Sequence, residues 1–310
     1  MILLCGIPSE SPLARVQAHL DRMGVPVFWF NQRQSLHADL AFEVDYAGVR
    51  GLLRTGAAEL RLEEVSGVYT RMMDEQLLPE LCREPPDSPA RQRAQATTIG
   101  LTIWMEVAPA RVVNRASCMA SNDSKPFQAQ IIRRYGFHLP ETLITNNPDE
   151  VVAFRARYGR VIFKSVSGLR SIVRELRDDD LPRLARVRAC PVQFQERLEG
   201  LDVRVHVVGS EVFATAAYSA SADYRYAVQD GLAARLAPYE LNDDLAQRCL
   251  QLTSGLGLLF SGIDLKLAPD GRAYCFEVNC CPGYSYFEAN TGQPIALALA
   301  RLLAGQTDGR

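Results

Sequence analysis

Short apolar runs alternate with amphipathic stretches along the first hundred residues. Met1 to Ile7, Val25 to Phe30 and Val65 to Arg71 read as strands and Ser11 to Met23 as a helix, the alternation of a small α/β unit. Glu84-Pro85-Pro86-Asp87-Ser88-Pro89 breaks the pattern. A long helix then runs from Pro89 to Val107, and its Ile99, Ile103 and Trp104, at helical spacing, are expected in a core. After a short strand, Val112 to Arg115, Ser124 is placed to cap a helix that admits Pro126 in its first turn. An extended Pro140 to Thr145, a helix from Pro148 halted at Gly159, a strand Arg160 to Val166 and a second strand Ile172 to Glu175 follow. From Pro191 the pattern is mostly β: Val192 to Glu196, Asp202 to Val208, and Val212 to Ser219, with Gly209-Ser210 as a hairpin turn. Helices over Asn242 to Leu256 and Pro294 to Leu303 flank one more hairpin. The expected class is α/β (α+β).

That last hairpin carries candidate chemistry. Its apolar runs, Phe260 to Leu267 and Ala273 to Val278, are separated by Pro269-Asp270-Gly271-Arg272, and Asp-Gly is a strong signal for a two-residue turn. With Asp270 and Gly271 as the loop, Pro269 opposes Arg272 and Asp264 faces Glu277. Asn279, two residues beyond, shares their face. Opposed carboxylates repel unless a cation or a proton intervenes. Magnesium suits the pair, since it takes one or two carboxylates and leaves its other positions to water and phosphate oxygens. The alternative is a carboxylate salt-bridged to a lysine such as Lys266, or simply solvated.

Composition narrows the setting. The 310 residues are 47% hydrophobic and 23% charged, with a formal net charge of -2. This length accommodates two or three subdomains, and no basic tract suggests a nucleic-acid partner. The apolar start at Met1 lacks a basic leader, and no apolar run reaches the ~20 residues of a membrane span. A cytoplasmic protein without membrane or nucleic-acid partners is expected. The eight cysteines lack Cys-x-x-Cys spacing and read as reduced, mostly buried hydrophobes. Cys280-Cys281 follows Asn279 directly, but no histidine near it in sequence would activate a thiolate.

Other groups have two readings each. Lys164 ends a strand before a loop holding Ser165, Gly168, Arg170 and Ser171, and Lys125 opens a helix; either is a phosphate ligand or a solvated lysine. Gln193 to Gly200 couples a strand to a glycine-bearing bend, read as a site of free backbone groups or as an edge strand entering a turn. In Asp202-Val203-Arg204-Val205-His206 the polar residues share one face and the valines the other, which suits nucleotide contacts or a solvated sheet face.

Taken in order, the segments around Asn114-Arg115, Ser124-Lys125, Val161-Ile-Phe-Lys164, Gln193-Phe-Gln195-Glu196, Asp202-Val-Arg204, Ser261-Gly-Ile-Asp264 and Phe276-Glu277-Val-Asn279 resemble the RimK-like branch of the ATP-grasp superfamily, from about Asn114 to Ala304. The resemblance implies two α+β subdomains behind a small α/β pre-ATP-grasp domain, divided as 1–110, 111–190 and 191–310. It implies that Lys125 and Lys164 contact ATP phosphates, that Gln195, Glu196, Arg197 and Leu198 form the adenine-binding hinge, and that Asp202 lies near ribose. Asp264, Glu277 and Asn279 fall on the magnesium ligands, with manganese as a substitute. Arg204 and Arg225 match arginines directed at the γ-phosphate and acyl phosphate. The implied activity is ligation of a carboxylate to an amine or hydroxyl of an amino acid or peptide. Leu143-Ile-Thr-Asn-Asn-Pro148 and Gln193-Phe-Gln-Glu196 are also similar to side-chain-crosslinking maturases of ribosomal peptides. A phosphotransferase and a nucleotide-binding scaffold are the competing readings, and a homo-oligomer is left open. The lid departs from the family's glycine-rich pattern, holding only Gly168 between Ser165 and Ser171. Tyr284, Tyr286 and Phe287 read equally as acceptor-pocket walls or as packing for the last helix.

Overall fold

The structure, a computed structural model, describes residues 1–166, 173–219 and 235–306. Four parallel strands make the N-terminal sheet, in the order Val27–Asn31, Ile2–Gly6, Gly67–Thr70, Arg111–Val113. Ile2–Gly6 is buried throughout, as its unbroken apolar run requires of a central parallel strand covered on both faces. On one face, helix Ser11–Arg22 buries Leu13, Val16 and Leu20 against the last helix, Ile295–Ala304. The same cluster takes in Val208, Phe260 and Tyr284, so the C-terminal helix fastens the first sheet to the last.

Two findings differ from the sequence expectation here. A three-stranded antiparallel sheet, Ala38–Asp45, Gly48–Thr55 and Ala58–Arg61, covers the other face. Beneath it, helix Pro89–Val107 buries Ala94, Thr97, Leu101, Trp104 and Met105, while Ile99 and Ile103 are 49% and 53% exposed. Ile103 and Trp104 are neighbours in sequence and so stand ~100° apart around the helix; Trp104 took the core-facing position.

The second sheet is antiparallel, in the order Arg174–Glu175, Val161–Ser165, Val192–Glu196, Thr142–Thr145. Val192–Glu196 is therefore an interior strand, not an edge. Its Phe194 packs with Val161, Leu176 and Leu184 and with Val151 of helix Pro148–Tyr158, which Asn147 caps and Gly159 ends at φ +73°.

Five antiparallel strands make the third sheet, in the order Arg235–Tyr239, Glu211–Tyr218, Leu201–Val208, Phe260–Leu267, Ala273–Asn279. Val203, Val205 and Val207 face Leu245, Cys249 and Leu252 of helix Asp243–Gly255, each valine at most 2% exposed. Burial of each contributes ~1.5 to 3 kcal/mol, enough to fix which face of Leu201–Val208 turns inward. The opposite face carries the polar residues. Four of the eight cysteines are buried, whereas Cys82, Cys190 and Cys281 are exposed, so the expectation of mostly buried thiols holds only in part. Burial pushes the Cys249 and Cys280 thiols up to about 12, which supports packing for those two. Among the described residues no helix is long and apolar enough to cross a membrane.

Candidate active site

The hairpin register places Asp264 opposite Glu277 and Gly262 opposite Asn279, as expected, although the turn is not the expected one. Ala268 donates its N–H to Arg272 O at 2.9 Å and its carbonyl accepts from Gly271 at 3.0 Å, closing a three-residue loop with Gly271 at φ +85°. Leu267 therefore pairs with Ala273, one residue out of the two-residue-turn register. A bulge between Asp264 and Leu265 absorbs the difference, leaving Phe276 as the extra residue and restoring the carboxylate pair.

Strand pairing extends the row. Thr215, Arg204, Asp264 and Glu277 stand side by side across four strands. Arg204 Nη1 donates to Asp264 Oδ1 at 2.7 Å, with the Arg204 and Asp264 side chains 7% and 20% exposed, and its guanidinium lies 5.8 Å from the Phe287 ring centre. Lys125 Nζ, from the start of helix Lys125–Ile132, is paired with Glu277 Oε2. Neither carboxylate is merely solvated, and Glu277 is salt-bridged to a lysine as the alternative to a metal had it, the lysine being Lys125. Lys266 pairs not with these carboxylates but with Asp202, at 3.0 Å in the next row.

The row's outer strand is fixed from outside. Gln128 is 2% exposed; its Oε1 accepts from Val278 N at 2.9 Å and its Nε2 donates to Val278 O at 2.8 Å, as a neighbouring strand would. His138 pairs by backbone with Ala273 and Cys275 nearer the turn. Asn114 donates to Phe260 O and Cys280 O, both at 2.7 Å, and accepts from Leu259 N at 2.9 Å, clamping the two strand ends together. Ser124 stands at the N-cap of the Lys125 helix but makes no side-chain cap bond.

His206 shares the Arg204 face and is fully buried between Phe260 and Phe287. Burial, with Arg204 beside it, holds its imidazole well below the usual range, so it is neutral near pH 7. Tyr284 and Phe287 are packed in, whereas Tyr286 is 56% exposed.

On the second sheet, Lys164 lies opposite Gln193, and Gln195 opposite Ile162, so lysine and both glutamines share the face turned away from the Phe194 core. Gln195 Nε2 donates to Thr142 Oγ1 at 2.9 Å, and Glu196 Oε1 accepts from Glu141 N at 2.9 Å. Arg197 is held by Glu175, and Leu198 leads through Gly200 into strand Leu201–Val208. Gly200 has φ +142°, and a Cβ there would run into the Leu267 carbonyl, with its carbon at 2.9 Å, so a glycine is required where the chain passes between sheets. Gly168, Arg170, Ser171 and Arg225 lie outside the described residues.

Residues 122–303, more than half of the chain, match the RimK-like ATP-grasp domain. The chain belongs to the RimK-like ATP-grasp family. A curated relative, the probable alpha-L-glutamate ligase of Enterobacter sp. (strain 638), is 29% identical over 178 residues, 54% of this chain and 58% of that protein. The ATP-grasp chain thus spans under two thirds of that relative's length. Two solved ligases align almost end to end. The Chryseobacterium gregarium RiPP-associated ATP-grasp ligase, in complex with ADP and a leader and core peptide, superposes at TM-score 0.81 with 24% identity, over 99% of this chain and 97% of that one. ATP-grasp ligase PsnB, complexed with minimal precursor, Mg and ADP, does so at TM-score 0.76 with 27% identity, over 98% and 96%.

Proposed function

We propose that this chain is an ATP-dependent carboxylate ligase that activates its substrate as an acyl phosphate and joins it to an amine or hydroxyl of an amino acid or peptide, releasing ADP and phosphate. The observation that carries the reading is the row Arg204, Asp264, Glu277 with Lys125 at its end: two carboxylates, each already touching a cation, on one sheet face.

Asp264, Glu277 and Asn279 offer only oxygen donors on this face, a set that fits magnesium or manganese. Among the described residues no group of three or more His, Cys, Asp and Glu side chains forms a softer metal site. When bound, the ion supplies positive charge to phosphate oxygens. In this reading Lys125 and Lys164 hold ATP phosphates, Gln195, Glu196, Arg197 and Leu198 hold the adenine, and Asp202 meets the ribose. Arg204, with Arg225, neutralises the charge that develops as a substrate carboxylate oxygen attacks the γ-phosphorus. ADP departs as that O–P bond forms. The acceptor's lone pair then forms the new bond to the acyl carbon, the acyl C–O bond breaks so that phosphate leaves with that oxygen, and the acceptor's proton passes to water. Positioning and charge do the catalysis, so no protein nucleophile is needed.

A peptide is the substrate we favour, because the near end-to-end likeness at 27% identity is to a ligase solved with a precursor peptide. The test is ADP and phosphate release with acidic peptides, with free glutamate, and with neither. Release that requires a peptide supports the reading. Turnover with glutamate alone shifts it to amino-acid ligation, phosphorylated product without free phosphate indicates a phosphotransferase, and no turnover a scaffold.

A further inference from the structure

Arg71 belongs to the N-terminal sheet, yet its side chain ends on the hairpin. It follows strand Gly67–Thr70, and its backbone N–H donates to Cys5 O at 2.8 Å, which extends the pairing with strand Ile2–Gly6. From there the side chain, 12% exposed, reaches across: Nε donates to Glu10 Oε1 at 2.8 Å, and Nη1 to Pro282 O at 3.0 Å, with Cys281 Sγ at 3.3 Å and Cys281 O at 3.5 Å. The loop it holds is the one that leaves Asn279. In that loop Cys281 N–H donates to Asn279 Oδ1 at 2.9 Å, and the Cys280 carbonyl is held by Asn114.

These contacts form a chain from the N-terminal domain to one side-chain oxygen. Arg71 holds the Cys281 and Pro282 carbonyls, and Asn114 holds the Cys280 carbonyl in the same peptide unit as the Cys281 N–H. The two grips, one on either side of the Cys281 Cα, together fix the N–H that sets the amide plane of Asn279. A partner beyond the ligands that orients a ligand typically changes metal affinity by ~10- to 100-fold when it is removed. Hydrogen-bonding geometry also makes the arginine hard to replace, since a planar fork grips neighbouring acceptors that a single ammonium cannot.

We infer that Arg71 is a positioning residue for the divalent metal, aiming Asn279 through the Cys281 amide and making the metal site depend on the N-terminal domain. The inference rests on the magnesium assignment proposed above. It is tested by titrating Mn2+ into the full-length protein with ADP present and reading free Mn2+ by its paramagnetic resonance signal, for wild type, Arg71→Met, Arg71→Lys and Glu277→Gln. Metal-free ADP binding and the melting temperature are measured beside it.

The expected result is Mn2+ affinity at least ~10-fold weaker in Arg71→Met and intermediate in Arg71→Lys, with metal-free ADP binding within about twofold of wild type. If Arg71→Met does not fold, the Arg71→Lys value carries the test, with a loss of about threefold or more expected. Wild-type Mn2+ affinity in the folded Arg71 variant overturns the inference, as does an equal loss of metal-free ADP binding, which marks a general distortion. Glu277→Gln separates the two levels: if it binds Mn2+ as wild type does, the metal assignment itself fails, whatever Arg71 does.

Discussion

Substituting Gly262 tests how the sheet face holds its arginine. An added Cβ would lie 2.6 Å from Arg204 Cζ and 2.7 Å from Pro282 Cβ. Relaxed carbon contacts need ~3.5 Å, so in Gly262→Ala the guanidinium must retreat by roughly 1 Å. It has little room, being 6% exposed and bonded at 2.7 Å to Asp264. Overpacking alone costs ~1 to 3 kcal/mol, and outright loss of one partner of a buried ion pair ~3 to 5 kcal/mol. Because the arginine is displaced rather than deleted, about 2 to 4 kcal/mol is expected between these limits. Urea unfolding of Gly262→Ala, Arg204→Ala and the double variant gives the coupling directly. With Arg204 truncated the guanidinium contacts are gone while Pro282 Cβ stays at 2.7 Å, so the glycine substitution should cost at least ~1.5 kcal/mol less in that background. A cost below ~0.5 kcal/mol in the native background, or the same cost in both backgrounds, refutes the reasoning.

Gln128→Leu should destabilise by ~2 to 5 kcal/mol, because it strips partners from both backbone groups of the buried Val278; denaturation and faster amide exchange at Val278 check this. His206 carries a pH signature. Its folded-state pKa is depressed, so the unfolded chain takes up a proton that the folded one does not as pH falls below ~6.5, and stability drops in that window. His206→Leu should flatten the wild-type slope between pH 6.5 and 5 by up to ~1.4 kcal/mol per pH unit, and parallel profiles would contradict it. Lys125→Met should raise the KM for ATP while leaving the melting temperature within a few degrees, since it removes one partly exposed ion pair from Glu277.

The carboxylate pair was legible in the sequence for reasons that proved incomplete. A two-residue turn gave the correct opposition of Asp264 and Glu277, but the protein reaches it through a three-residue loop and a compensating bulge at Phe276. Turn chemistry is local, and the bulge is not encoded by any residue that marks it. Period-two alternation correctly sorted Asp202, Arg204 and His206 from Val203, Val205 and Val207 because burial of the valines fixes the face. Helical spacing in Pro89–Val107 failed at Ile99 and Ile103, since the helix offers two apolar stripes and only packing under the unforeseen three-stranded sheet chooses between them. Lys125 and Glu277 are 152 residues apart, and Arg71 and Pro282 211 apart, so their contacts follow from the assembled fold alone. Gln128 gave a findable signal, a glutamine on the helix that Lys125 begins, but only the strand beside it reveals its role.

The most direct measurement follows an oxygen atom. A substrate that supports ADP release is labelled with 18O in its reacting carboxyl group, turned over with unlabelled ATP, and the released phosphate is analysed by mass. Attack of the carboxylate on the γ-phosphorus followed by acyl transfer must leave one carboxyl oxygen in the phosphate, so one 18O per phosphate is predicted. Unlabelled phosphate accompanied by ligated product would contradict carboxylate activation at this site.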